Sequence, residues 1–167
     1  YDLPVGKGRK IDTGESAFVN AILGGWQVNG IVTFQSGTPL ALSANNTSGL
    51  FAARTQPNST GISGKKTGRV QDRLNSYFTQ SAYTQPAAFT FGNLGRFLPD
   101  VREDMVRNWD ISMFKQFEMR EKFTMQFRTE FFNAMNRVQF GAPNTSVTSN
   151  AFGTVTSQAN APRQIQF

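Results

Sequence analysis

The chain has 167 residues, enough for one domain and short for two, and it is 38% hydrophobic with 16 Phe, so modest apolarity is concentrated in aromatics. Its formal charge of +6 sits in turns and loops (Lys7, Arg9, Lys10; Lys65, Lys66, Arg69; Arg102, Arg107). That reads as a solvated basic surface, because a nucleic-acid interface needs basic residues clustered on one element with aromatics between them. There is no Cys and no His. Disulfides, thiolate or imidazole metal sites and triads with a His base are excluded, and no paired carboxylates replace them. We therefore expect no catalytic residues, no metal and no cofactor, and do not expect an enzyme.

Tyr1-Asp2-Leu3-Pro4 reads as the tail of a strand and as the middle of something longer, with any targeting signal upstream. Gly6-Lys7-Gly8-Arg9-Lys10 is a basic turn. It lacks the phosphate-loop pattern, as does Gly61 to Thr67. Ser16 to Leu23 has weak helical spacing and is broken by Gly24-Gly25. Trp26 to Ser43 is a strand region, with Trp26, Val28, Gly30, Val32 and Phe34 on one face and Gln27, Asn29, Thr33 and Gln35 on the other, Ile31 being the exception. Pro39 marks a bulge or the level where the strand leaves the membrane.

Ala44 to about Arg107 is long and polar. Leu74, Tyr77, Phe78 and Tyr83, then Phe89, Phe91, Leu94 and Phe97, are placed to fold it onto itself, and Asp72 to Ala82 has the spacing of a short helix. A connection of this length is out of place in a compact soluble domain.

Asn108 to Asn136 reads as a hairpin turning near Glu118 to Glu121. Trp109, Ile111, Met113 and Phe117 alternate with Asp110, Ser112 and Gln116. On the return, Phe123, Met125, Phe127 and Phe131 alternate with Thr124, Gln126, Arg128 and Glu130. Pairing through that turn puts Asp110 opposite or diagonal to Arg128, with Glu130 near. Lys115 is the one charge on the apolar face, near enough to the turn for its stem to reach a polar interface. A second polar connection, Arg137 to about Pro162, leads to Arg163-Gln164-Ile165-Gln166-Phe167, which reads as a last strand cut short.

The expected fold is thus all-β: an antiparallel meander with short turns on one side and long loops on the other, one of them holding a short helix. Two covers suit its aromatic face. Lipid would make residues 1–167 part of a transmembrane β-barrel, with a polar lumen behind the apolar wall. A second sheet would make a soluble sandwich, as in an adhesin or carbohydrate-binding module. No run approaches the roughly 20 apolar residues of a transmembrane helix.

Several stretches, in this order, resemble the C-terminal barrel region of TonB-dependent outer-membrane receptors, in particular the adhesin-like type bearing a carboxypeptidase-regulatory-like domain. They are Tyr1-Asp2-Leu3-Pro4 with Gly6-Lys7-Gly8-Arg9; Gly24-Gly25-Trp26-Gln27 with Ser36-Gly37-Thr38-Pro39; Phe91-Gly92-Asn93 and Asn108-Trp109-Asp110-Ile111-Ser112; Phe127 to Ala134 with Asn136; and Pro162 to Phe167. The resemblance implies a plugged barrel of about 22 strands in the bacterial outer membrane, importing a scarce nutrient with inner-membrane energy.

It further implies outer-membrane lipid as one partner, and the remaining strands and plug of the same receptor as another. An energy-coupling protein would be reached through an N-terminal part not in this sequence; nucleic acid is not among the partners. On this reading Trp109, Ile111, Met113, Met125, Phe127 and Phe131 face lipid. Asp110, Gln126, Arg128 and Glu130 form a lumen-facing ladder, structural or in contact with ligand or plug. The ligand and the residues that bind it are not legible.

Overall fold

The computed structural model describes residues 1–14, 16–47, 49, 55–120 and 123–167. In chain order its elements are α1 (Ala17–Leu23), β1 (Trp26–Gln35), β2 (Asn58–Ser59), β3 (Tyr83–Thr84), β4 (Val106–Arg120), β5 (Phe123–Phe132) and β6 (Gln164–Gln166). The expectation of an antiparallel all-β chain with little helix is met. Among the described residues the sheet is open, in the order β1-β4-β5-β6, and a separate two-stranded sheet pairs β2 with β3. The chain divides into two compact units.

The first unit comprises Tyr1–Phe34, Arg107–Arg137 and Ala161–Phe167 and holds the larger sheet. Tyr1 to Leu3 runs beside β1: the Leu3 N–H donates to the Trp26 carbonyl (2.9 Å) and the Val28 N–H to the Tyr1 carbonyl (2.8 Å). The helical spacing of Ser16 to Leu23 becomes α1, whose N-cap Ser16 accepts from the Val19 N–H at 3.4 Å. β1 ends at Gln35, before Pro39.

The hairpin register pairs Ile111 with Phe131, Ser112 with Glu130, Met113 with Thr129, Phe114 with Arg128, Lys115 with Phe127, Gln116 with Gln126 and Phe117 with Met125. A bulge between Glu118 and Arg120 then shifts the pairing, so that Arg120 lies opposite Phe123. β4 therefore runs past the expected start of the turn. The hairpin reverses after Arg120, and Glu121 and Lys122 lie outside the described residues. β6 pairs with the end of β5, Ile165 opposite Phe131 and Gln166 opposite Glu130.

The second unit comprises Gln35–Val106 and Val138–Asn160 and has its own core. Leu40, Leu42, Tyr77, Phe78, Ala82, Tyr83, Leu98, Val101, Phe152 and Val155 are buried together. Phe78 packs edge-on against both Tyr83 and Phe152, at centroid distances of 5.8 and 5.0 Å. The polar connections thus fold onto themselves as expected, with Leu74 and Leu94 packed at the margin. Phe89, Phe91 and Phe97 do not join the core; they stand 82%, 69% and 51% exposed. The helix expected over Asp72 to Ala82 is two 3₁₀ turns, Val70–Arg73 and Gln80–Ala82, separated by irregular chain.

Two motifs here have direct structural reasons. Thr38-Pro39-Leu40 is bracketed against Leu98 to Glu103. The Glu103 N–H donates to the Thr38 carbonyl (2.9 Å), the Leu98 N–H to the Leu40 carbonyl (2.7 Å), and the Thr38 hydroxyl to the Glu103 carboxylate (2.5 Å). Gly37 lies so close to the Glu103 carbonyl that a Cβ would overlap it. In Phe91-Gly92-Asn93, Gly92 lies equally close to the Gln56 carbonyl. Asn93 is tied to the Asn58-Ser59 pair: its N–H donates to Asn58 Oδ1 (3.0 Å), and the Ser59 N–H donates to Asn93 Oδ1 (2.7 Å).

Candidate functional site: the two faces of the hairpin sheet

Side chains alternate across a strand, so the register decides which residues share a face. The pairing Ile111–Phe131, Met113–Thr129, Lys115–Phe127 and Phe117–Met125 brings Ile111, Met113, Met125, Phe127 and Phe131 to one face, with Trp109 two residues before Ile111. Phe34 meets Trp109 edge-on at 6.1 Å, so Val28, Val32 and Phe34 of β1 lie on that face too. Ile165 stands opposite Phe131, and the Phe167 ring lies 6.4 Å from that of Phe127. The result is a largely apolar surface, on which Met125, Phe127, Ile165 and Phe167 are exposed and within which Lys115 and Thr129 are buried.

The opposite face carries Asp110, Gln126, Arg128 and Glu130. Here the expected pairing of Asp110 with Arg128 is corrected. Because the turn comes later, Arg128 stands opposite Phe114 and Glu130 opposite Ser112, with Asp110 beyond. The Arg128 guanidinium lies over the Phe114 ring, 5.0 Å from its centroid, and its Nη2 bonds Glu130 Oε1. The Ser112 hydroxyl also donates to Glu130 Oε1 (3.4 Å). Gln116 stands opposite Gln126, and Gln166 opposite Glu130. Phe114 and Phe132 are apolar members of this otherwise polar face, and alternation alone foretells their place.

Asp110 has a different role from the one its charge suggested. Its Oδ1 accepts from the Asn133 N–H (2.9 Å) and its Oδ2 from Asn108 Nδ2 (2.8 Å). It satisfies a backbone donor where β5 ends. Asn133, absent from the expected site, is the centre of that end. It is buried, with φ at +49°, a conformation Asn tolerates better than most residues. Its Nδ2 donates to the Arg137 and Ala161 carbonyls (3.0 and 3.2 Å), and its Oδ1 accepts from the Arg137 N–H (2.9 Å). Asn136, at φ +48°, accepts from the Arg163 N–H through Oδ1 (3.2 Å). Asn-Ala-Met-Asn is thus the knot that ends β5 and fixes the entry of β6. The sequence signal was the Asn pair itself, three residues apart after an alternating run.

Lys115 also departs from expectation. It is 3% exposed and does not extend to solvent. Its ammonium donates to the Ile22 carbonyl (3.1 Å) and the Gly24 carbonyl, and lies 5.1 Å from the ring centroids of both Trp26 and Phe117. The carbonyls at the end of α1, which have no partners within the helix, take a cation from β4.

The arrangement can form a wall with one apolar and one polar surface. Among the described residues no cluster of three or more acidic, His or Cys side chains converges on a metal-sized space. No helix there is long and apolar enough to cross a membrane, which bears only on helices. An antiparallel sheet segregated in this way is a β-protein apolar on one side and wet on the other, a face that suits either lipid or a second sheet. The family model for an outer membrane beta barrel domain matches residues 1–166, and the chain belongs to that family. The family points to the bacterial outer membrane and makes the chain an outer-membrane component. No curated protein and no solved structure matches it.

Proposed function

We propose that the chain is the C-terminal wall and outer loops of a TonB-dependent receptor that imports a scarce nutrient across the outer membrane. The observation that carries this reading is the largely apolar face from Val28 to Phe167, its Lys115 and Thr129 buried, behind a polar face, in a chain of the barrel family. On this reading Trp109, Ile111, Met113, Met125, Phe127 and Phe131 face lipid. Gln126, Arg128, Glu130 and Asp110 face the lumen, the first three along the wall and Asp110 at the end of β5. Periplasmic turns of such barrels are short and external loops long. The hairpin turn and Gly6 to Leu23 are then periplasmic, and Ala44 to Arg107 and Arg137 to Pro162 form the external vestibule.

The role is transport and not catalysis. Its partners are outer-membrane lipid, the remaining strands and plug of the same receptor, and an inner-membrane energy-coupling protein. The ordered sequence motifs support the receptor type.

Two measurements test the reading. The intact protein should need detergent for extraction and migrate faster unheated than boiled. A strain lacking the energy-coupling protein should lose uptake of the same nutrient that a strain lacking this protein cannot import. Extraction as a soluble monomer without detergent would refute the wall. Uptake indifferent to the coupling protein would refute the receptor.

A further inference from the structure

Helix α1 is built inside out for water. It contains a single polar residue, Asn20, in Ala17-Phe18-Val19-Asn20-Ala21-Ile22-Leu23. Asn20 points inward: its Oδ1 accepts from the Lys7 N–H (2.9 Å) and the Thr13 hydroxyl (3.3 Å). The outward side chains are apolar, with Phe18, Ile22 and Leu23 exposed by 75%, 51% and 50%. A surface helix in water shows the reverse arrangement.

The helix does not hang free. The Ile22 carbonyl accepts from Lys115 Nζ (3.1 Å) and from the Trp26 indole N–H (2.9 Å). Lys115 belongs to the face of β4 that carries Ile111 and Met113, so the end of α1 is tied to the apolar side of the sheet, near the hairpin turn. The adjoining turn presents Lys7 and Lys10, both exposed. Among the described residues, the carboxylates near them are engaged locally: Asp2 with Arg9 at 3.7 Å, and Asp12 with the Gly14 N–H at 3.0 Å.

We infer that α1 is an interfacial anchor, lying in the periplasmic leaflet at the boundary between phospholipid headgroups and acyl chains. Phe18, Ile22 and Leu23 enter the acyl region, and Lys7 and Lys10 meet anionic headgroups. The occupant is lipid because the helix extends an apolar face that already meets lipid, and because its one amide is turned away from that side. Exposed ammonium groups beside an apolar helix face suit an anionic phospholipid surface. Lys115 makes the anchor rigid by holding the end of α1 to the wall. The inference rests on the wall reading above and adds a segment that touches the membrane without crossing it.

The test is nitroxide accessibility on the intact protein in vesicles of phosphatidylethanolamine with phosphatidylglycerol. Single labels go at Phe18→Cys, Ile22→Cys and, on the wall, Val32→Cys. The outward side chains at 18 and 22 lie away from the Asn20 contacts, so labels there leave the fold intact. Positions 18 and 22 should show oxygen access severalfold above access to a water-soluble nickel chelate, at a depth shallower than position 32. Nickel access at 18 and 22 with lipid access at 32 would overturn the anchor and leave the wall standing. Immobile labels at 18 and 22 with neither access would mean a protein cover, and would overturn it equally. Nickel access at 32 as well would overturn the wall reading, and the anchor with it.

Discussion

Replacing Asn133 should loosen the end of the hairpin sheet by a calculable amount. The side chain makes three hydrogen bonds to backbone, two from Nδ2 and one to Oδ1. At about 1 kcal/mol net each, Asn133→Gly should cost roughly 3 kcal/mol. Asn133→Ala should cost about 1 kcal/mol more, because φ at +49° sets the alanine Cβ against its own carbonyl while glycine is indifferent. Asn133→Asp keeps the acceptor for Arg137 N–H but turns an oxygen toward the Arg137 and Ala161 carbonyls, so it should cost at least as much as alanine. The assay is urea unfolding of the intact protein in micelles, followed by fluorescence. Trp109 is a local reporter, since its carbonyl accepts from the Ala134 N–H at 2.7 Å. Losses below 1 kcal/mol for both Gly and Ala would refute the hydrogen-bond account. Equal losses for Gly and Ala would refute the backbone account.

Three further outcomes are expected. The Tyr83 hydroxyl is pushed up to about 12, first by burial and then by Asp100. The folded state therefore keeps the proton that the unfolded chain releases near pH 10, and the stability of the second unit should be intact below pH 10 and fall between pH 10 and 12. Absorbance of tyrosinate against pH, compared with Tyr83→Phe, checks this; a normal titration of Tyr83 in the folded protein would contradict it. Gly37→Ala should destabilise the second unit by about 1–3 kcal/mol, because the new Cβ overlaps the Glu103 carbonyl; unchanged thermal unfolding would be the contrary result. Thr129 is 6% exposed and its hydroxyl has no partner among the described residues, so Thr129→Val should be neutral or stabilise by up to about 1 kcal/mol in the same urea assay.

The sequence made the faces of the sheet legible because alternation is a local property with a period of two. Trp109, Ile111, Met113, Met125, Phe127 and Phe131 could be grouped without knowing where the turn falls. Register was not legible in the same way. The bulge near Glu118 and the reversal beyond Arg120 are set by turn geometry, and they moved Arg128 from Asp110 to Phe114. The hydrophobic content of the long connections foretold a core. It did not foretell that Tyr77, Phe78 and Tyr83 would enter it while Phe89, Phe91 and Phe97 stayed out. That choice depends on distant partners such as Leu42 and Phe152, which no local window contains. The place of Lys115 escapes a local window for the same reason: the carbonyls it serves lie more than ninety residues earlier in the chain.

Polar side chains of the first unit serve backbone groups at both ends of the hairpin sheet. At one end Lys115 holds the carbonyls that close α1. At the other Asp110, Asn133 and Asn136 receive or supply backbone bonds where β5 stops and β6 begins. This distribution follows from the wall reading. Along a membrane strand every N–H and C=O is served by the neighbouring strand, so side chains are free to sort by face. Where the ladder stops, backbone groups lose those partners and only side chains or water can replace them. A soluble sheet meets water at both ends and has less need of such residues. Interfacial ends, where water is scarce and lipid headgroups compete, need them most. Asn133→Gly should therefore cost more in vesicles than in detergent micelles, whose looser boundary admits more water to the Arg137 and Ala161 carbonyls that the substitution leaves unpaired. A smaller loss in vesicles would sever the link between the knot and the membrane boundary.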